Sequence, residues 1–144
     1  MRRIDKSVLI EHSAEQMYAL VDAVEDYPQF LPWCGGAQVK WRDEQTTVAT
    51  IHIDYHHVKQ SFTTENSKQR PVSIDMKLVE GPFKHLDGRF RFTELAPEAC
   101  KVEFQIEYQF SNKLLELVIG PVFSHIADTF VEAFILRADK VYAK

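Results

Sequence analysis

Most of the chain alternates between apolar and polar residues, the pattern of a β-strand that buries one face. The longest run covers residues 100–110, where every second position is apolar and the positions between are Lys, Glu or Gln. Shorter runs follow one another from residue 37 onwards, separated by turn-forming segments such as EGPF and LAPEA. The predicted strands are residues 2–11, 37–42, 46–56, 58–62, 72–78, 86–92 and 100–110.

Two further segments have the 3.6-residue period of a helix. In the first, Ser13 and Gln16 form a capping-box pattern. This helix should therefore begin at Ala14 and end near Asp26, before Pro28.

The second helical segment is much longer, with Asn112 as its predicted N-cap and its end near residue 142, roughly 45 Å away if fully helical. Gly120-Pro121 lies inside it, and a proline there removes a backbone hydrogen bond and should bend the axis. Its apolar face is predicted to hold Val118, Val122, Ile126, Thr129, Phe130, Ala133 and Phe134.

These elements predict an α+β fold. Seven strands, six of them in a meander, form one antiparallel sheet with one apolar face, and the long C-terminal helix offers an apolar face of matching length. The economical solution is a curved sheet wrapped around that helix, with short helices after the first strand closing one end. We expect a single domain over residues 1–144 and a monomer.

The composition agrees with a large apolar interior, since 45% of residues are hydrophobic and ten are Phe. The net charge of −4 argues against a DNA-binding protein, because nonspecific contact with phosphates favours basic chains. Cys34 and Cys100 form no CxxC motif, which favours a reducing compartment. The apolar stretches are interrupted by charge, so no membrane span is expected. We expect a bacterial cytoplasmic protein with transient contact at the inner membrane.

Four segments resemble the coenzyme-Q-binding START-type family, which is filed with polyketide cyclases and has the helix-grip fold. They are YPQFLPWC at 27–34, GPFKHLDGRFRF at 81–92, CKVEFQIEYQFSNKLLE at 100–116 and VFSHIADTFVEAFILRADKVY at 122–142. The resemblance covers nearly the whole chain in order, and within the family it is strongest to bacterial ribosome association toxins. It implies a START-type lipid-binding domain whose cavity, between sheet and long helix, accepts ubiquinone or a similar isoprenoid lipid in support of respiratory electron transport.

Taken together, the apolar loop at 27–33 and the bend at Gly120-Pro121 suggest a lid over such a cavity, one that opens near a bilayer. Arg137 falls near the apolar stripe of the helix, and we expect it at the rim or paired with a strand carboxylate rather than inside the cavity. The residues predicted to line or gate the cavity are Tyr27, Phe30, Leu31, Trp33, Leu78, Phe83, Val122, Phe123, Ile126 and Phe130.

A non-enzymatic role is favoured because the predicted inward positions are nearly all apolar, with Gln60, Thr129 and Arg137 as exceptions. Cys34 has no evident neighbouring base, and the histidines form no metal-binding motif, so no catalytic or metal site is expected. Bound ubiquinone or another lipid is the only cofactor-like molecule anticipated.

Two alternatives remain open. The family is also linked to binding of the large ribosomal subunit and blocking of subunit association, which would use outward basic residues such as Arg89, Arg91 and Lys101. A cyclase-like or dehydrase-like enzyme would instead need convergent polar side chains inside the cavity.

Overall fold

A computed structural model describes residues 1–143 of the chain. Seven strands precede a long final helix, as the alternation predicts. The strands are β1 (Arg2–Ile10), β2 (Cys34–Arg42), β3 (Thr46–Tyr55), β4 (Val58–Gln69), β5 (Ser73–Glu80), β6 (Phe83–Ala96) and β7 (Ala99–Phe110). The helices are α1 (Ala14–Asp22), a 3₁₀ helix (Val24–Gln29) and α2 (Lys113–Val141).

All seven strands belong to one antiparallel sheet with the order β1-β7-β6-β5-β4-β3-β2. Strands β2 to β7 pair consecutively, and β1 completes the sheet on the free edge of β7, where Ile4 faces Ile106 and Ile10 faces Cys100. The even-numbered residues of β7 from Cys100 to Phe110 are all buried. The expected α+β helix-grip architecture, with a curved sheet around the C-terminal helix, is confirmed.

Helix α2 covers the inward face of the sheet. Its buried residues recur every three or four positions, which places them on one side of the helix. They are Ile119, Val122, Phe123, Ile126, Ala127, Phe130, Val131, Phe134 and Ala138. Rings from helix and sheet interlock at the centre: Phe104 lies 4.7 Å from Phe90 and 5.5 Å from Phe130, centroid to centroid.

Both predicted N-caps are present. The Ser13 hydroxyl accepts a hydrogen bond from the Gln16 backbone N–H, and the Gln16 side chain accepts one from the Ser13 N–H, which completes the capping box. At the start of α2, the Asn112 side chain accepts a hydrogen bond from the Leu115 N–H at 2.9 Å.

The segment after α1 differs from the prediction. The first helix ends at Asp22 rather than Asp26, because Ala23 has a non-helical ψ of 65°. The Asp26 N–H then bonds to the Ala23 carbonyl three residues back, and the chain continues as the 3₁₀ helix, which contains Pro28. Strand β2 then starts at Cys34, three residues earlier than predicted. The chain from Val24 to Trp33 is thus a folded connection between helix and sheet.

The buried stripe of α2 also differs at its first turns. Val118, predicted to be apolar core, is 55% exposed, and Ile119 is buried in its place. The helix continues through Pro121 as one element. Thr129 is only half-buried, and its hydroxyl donates to the His125 carbonyl. The helix therefore presents a face rotated by about one residue from the predicted one, and its first turns extend beyond the sheet.

By length and composition alone, α2 could cross a membrane, since an 18-residue window reaches a mean hydropathy of 1.5. This corrects the expectation that no segment is apolar enough. A helix that fills a protein core meets the same criterion, and α2 supplies the buried stripe that packs on the sheet.

The β5–β6 turn depends on a glycine. Gly81 has φ of +153°, a conformation that side chains with a Cβ rarely adopt. A Cβ at this position would also lie 2.7 Å from the Cβ of Phe62, so any larger residue at position 81 would collide with Phe62.

We predict that Gly81→Ala lowers the free energy of unfolding by about 1–3 kcal/mol, because it combines backbone strain with a clash. Gly120→Ala is the matched control: its new methyl would meet the Phe110 ring at an ordinary 3.9 Å, and alanine favours a helix interior by about 0.5–1 kcal/mol. Urea denaturation measures both. Equal stabilities of the two variants would contradict the account of this turn.

Candidate ligand-binding cavity

The aromatic segment from Tyr27 to Trp33 is fixed by backbone hydrogen bonds at both ends. The Tyr27 carbonyl accepts from the N–H groups of Phe30 and Leu31. The Tyr27 hydroxyl donates to the Val21 carbonyl at 2.5 Å. At the other end, the Trp33 carbonyl accepts from the Asp54 N–H on β3 at 2.9 Å. These bonds tie the segment to α1 on one side and to the sheet on the other.

The rings of this segment belong to the core. Tyr27 and Trp33 are only 3% and 4% exposed. Tyr27 lies edge-on to Phe134 at 5.4 Å, and the centroids of Trp33 and Phe130 are 6.1 Å apart. The segment predicted to be a lid therefore packs against α2 as part of the core.

A cavity of about 50 Å³ lies beneath α2, between the helix and the inward faces of the strands. That volume holds one or two water molecules, well below the roughly 300–1,000 Å³ of a typical small-molecule site. Its walls come from the segment before β2, from β3 to β7 and from α2. They are Val24, Tyr27, Trp33, Ala49, Ile51, Phe62, Thr64, Asn66, Met76, Leu86, Gly88, Phe104, Ile106, Phe123, Ile126, Ala127 and Phe130.

A second space, an open groove of about 450 Å³, runs between residues 29–33 and the C-terminal half of α2. Its apolar walls include Phe30, Leu31, Ala133 and Leu136. Within residues 1–143, Trp33 is the one side chain that lines both the cavity and this groove.

The ten predicted site residues divide into three groups. Tyr27, Trp33, Phe123, Ile126 and Phe130 line the cavity, and Phe30 and Leu31 line the groove with Trp33. The remaining three, Leu78, Phe83 and Val122, border neither space.

Phe83 does not line the cavity or the groove, because its ring packs within a cluster of other aromatic rings. Its ring stacks on Phe110 at 4.9 Å and meets Phe123 edge-on at 4.9 Å. Leu78 sits half-buried on β5 opposite Thr64. Within the 78–83 region, Phe83 is buried in the core, and Val79 is exposed at 57%.

Two polar residues that line the cavity were not predicted from the sequence. They are Thr64 and Asn66, both on β4 and both buried. The Thr64 hydroxyl donates to Asn66 Oδ1 at 2.9 Å. The prediction ended this strand at residue 62, because residues 63–69 are all polar and show no apolar alternation. Continuing the inward parity of Val58 and Phe62 would have placed both residues on the inner face.

Arg137 lies at the rim of the groove. Its guanidinium donates to Gln29 Oε1 at 2.8 Å and sits over the Phe30 ring, 5.1 Å from the centroid. Its partners are an amide and an aromatic face, not the strand carboxylate considered from sequence, and the charge stays outside the cavity.

The thiols are poorly suited to nucleophilic chemistry. Burial raises the pKa of Cys34 and raises that of Cys100 to about 11, so both remain protonated at neutral pH. Burial likewise raises the pKa of the Tyr27 phenol. In the part of the chain that the structure describes, no group of three or more His, Cys, Asp or Glu could hold a metal ion.

The chain was compared with known protein families. The model of the polyketide cyclase / dehydrase and lipid transport family matches residues 10–135. The chain belongs to this family. The START-type resemblance seen in the sequence is confirmed.

Relatives within the family carry two kinds of name. The ribosome association toxin RatA of Escherichia coli K12 is 43% identical over 99% of this chain and 90% of its own length. The mitochondrial coenzyme Q-binding protein COQ10 homolog B of Xenopus laevis is 27% identical over 96% of this chain and 59% of its own. A solved aromatase/cyclase, ZhuI from Streptomyces sp. R1128, shares the fold with a TM-score of 0.79 at 16% identity, covering 96% of this chain and 94% of its own.

We predict that Cys34 reacts with Ellman's reagent at least about tenfold more slowly in the folded protein than in the urea-unfolded chain, because the thiol is buried and its pKa is raised. A Cys100→Ser variant isolates the Cys34 signal at pH 7.5. Reaction at the rate of a free thiol would mean that the segment beside Trp33 opens readily without a ligand.

Proposed function

We propose that this protein binds a hydrophobic molecule, ubiquinone or a similar isoprenoid lipid, beneath α2 and carries out no chemistry on it. The observation that carries this proposal is the position of Trp33, which lines both a largely apolar inner cavity and an outer groove whose walls are partly apolar and partly charged. The name of the coenzyme Q-binding relative supports the ligand class.

Binding requires the cavity to expand. Displacing Trp33 would join the cavity to the 450 Å³ groove, and the combined space reaches the size usual for small-molecule sites. A ring head group would occupy the inner part, and the first isoprene units would follow along Phe30, Leu31 and Leu136. Burial of apolar surface contributes roughly 25 cal/mol per Å², which drives the tail out of water.

The non-enzymatic assignment rests on the lining of the cavity. Within residues 1–143, no charged side chain borders it. The Tyr27 hydroxyl on its wall donates to the Val21 carbonyl, and besides the rings of Tyr27 and Trp33 its polar members are Thr64 and Asn66. General acid–base catalysis needs a group that titrates near working pH, and neither of these does. The raised pKa values of both thiols are likewise unfavourable for nucleophilic attack.

A second candidate function comes from the relatives. The RatA proteins, at up to 43% identity over almost the whole chain, support a cytoplasmic protein that associates with the large ribosomal subunit. The surface available for this is the outward face of β5 to β7. There Arg89 pairs with Asp75 at 2.7 Å, and Arg91 lies opposite Glu103. This face is balanced in charge, so an RNA partner would have to replace carboxylate partners rather than meet free cations.

We predict that quinone binding quenches Trp33 specifically. In a Trp41→Phe variant, Trp33 is the sole indole, and saturable quenching by micromolar decylubiquinone is expected because the quinone would lie against it. Mass spectrometry of organic extracts of the purified wild type should also show a co-purified quinone or isoprenoid lipid.

The matched control is Trp33→Phe, which leaves Trp41, 60% exposed on β2, as the reporter. It should show only weak, non-saturating quenching. Identical quenching of both variants, together with lipid-free extracts, would refute ligand binding at this cavity.

Ribosome association predicts a different result. Wild-type protein should co-migrate with large subunits in sucrose gradients at about 0.1 M salt, and replacing Arg89, Arg91 and Lys101 by Glu should reduce the bound fraction to about a tenth or less. Lys6, Lys40 and Lys59, all exposed on other surfaces, give a control triple with the same change in charge. Equal loss in both triples would contradict a specific role of the β5–β7 face.

A further inference from the structure

Two neighbouring polar side chains lie in the otherwise largely apolar wall of the cavity. Thr64 and Asn66 stand two residues apart on the inward face of β4, and both line the cavity. They are 5% and 7% exposed, so bulk water does not satisfy them. A buried amide has four hydrogen-bonding sites, and each site left unused costs free energy.

The hydrogen bond between them fixes what the amide can offer. Thr64 donates its single hydroxyl hydrogen to Asn66 Oδ1 at 2.9 Å, which occupies the acceptor end of the amide. The Nδ2 end of the amide carries two N–H donors, and the side chain lies on the cavity wall. The Asn66 side chain therefore presents a donor to the cavity.

An unmet polar group lies beside Asn66. Thr47 on β3 pairs directly opposite Asn66 in the β3–β4 ladder. Thr47 is fully buried, and its hydroxyl has no hydrogen-bond partner among residues 1–143. Directly opposed residues have Cβ atoms about 4.5–5.5 Å apart, so this unmet hydroxyl lies next to Asn66 on the inner face of the sheet, behind the cavity wall that Asn66 lines.

Charge at this end of the wall is already neutralised. The next inward residue of β4 is Lys68, whose Nζ lies 3.3 Å from a carboxylate oxygen of Asp22, with the lysine side chain 4% exposed. The cation is thus engaged by α1 and is not available to an anion. A molecule in the cavity would meet donors without net charge, which suits a neutral acceptor.

We infer that Asn66 is a specificity-determining residue, an anchor that selects ligands carrying a neutral carbonyl oxygen over hydrocarbons of the same shape. This inference rests on the proposed function and names the chemical feature that the cavity recognises. The carbonyl accepts from Asn66 Nδ2, while the Thr64 hydroxyl holds the amide in the donating orientation. The rest of the ligand contacts apolar walls, which contribute affinity without selectivity.

The test compares two probes that differ in their carbonyls: duroquinone, and durene, the corresponding tetramethylbenzene. Equilibrium dialysis measures the affinity of each for the wild type, for Asn66→Leu and for Met76→Leu. Leucine matches asparagine in size without hydrogen bonding. Met76 also lines the cavity and pairs opposite Asn66, so its variant controls for altered packing.

We expect Asn66→Leu to weaken duroquinone binding about five- to tenfold, the effect of one neutral hydrogen bond, and to leave durene binding unchanged or stronger. Met76→Leu should affect both probes alike. A wild-type protein that binds both probes equally, or an Asn66→Leu variant that retains its quinone affinity, overturns the anchor while leaving the cavity as a ligand site. A wild type that binds neither probe overturns the proposed function and the anchor with it.

A spectroscopic measurement on the wild type alone covers the case in which Asn66→Leu fails to fold. The infrared carbonyl stretch of bound duroquinone should shift to lower frequency than in hexane, because the Nδ2–H group donates to it. An unshifted band would show that the carbonyl faces apolar wall or that a trapped water satisfies Asn66, and either result overturns the anchor.

Discussion

A sheet with one apolar face needs a partner that covers it, and the rest of this structure depends on how α2 meets that requirement. Every second side chain of β3 to β7 points inward, and many of these side chains are rings. The helix contributes Phe123, Phe130 and Phe134. Their rings meet those of the sheet and each other edge-on or tilted rather than flat. Ring shapes fill a curved layer imperfectly, and the small cavity beneath α2 is the space that remains.

The same constraint explains why the segment before β2 is so apolar. In this segment, Tyr27 and Trp33 pack against Phe130 of α2, and Phe30 packs against Phe134. Removing a ring from such a layer usually costs 3–5 kcal/mol. A ligand that displaces Trp33 must replace the contacts that the indole loses, and an isoprenoid chain of similar bulk can do so. Under the proposed function, stability and ligand uptake would therefore draw on the same contacts.

The sequence predicts an element of this structure well when the residues of that element alone contain the signal for it. The alternation from Cys100 to Phe110 and the capping box at Ser13 are local signals, and both appear in the fold as predicted. The burial of Trp33 is not local, since it depends on where α2 lies in space. Asn66 was missed for a related reason: a polar residue on an inner face looks like a surface residue until its strand has been placed against its neighbours.

The period of two also shows how one fold can serve relatives named for different activities. Along β7, Phe104 and Ile106 line the cavity, while Glu103 and Gln105 between them face outward opposite Arg91 and Arg89. A substitution at an odd position changes the outer charges without entering the core, and one at an even position changes the cavity without altering the surface. Because successive side chains point to opposite faces of a strand, the two faces carry separate sets of side chains even though they share every strand. A surface that meets a ribosome and a cavity that holds a lipid can thus be selected separately on one sheet, and the function of this chain has to be argued from each face on its own.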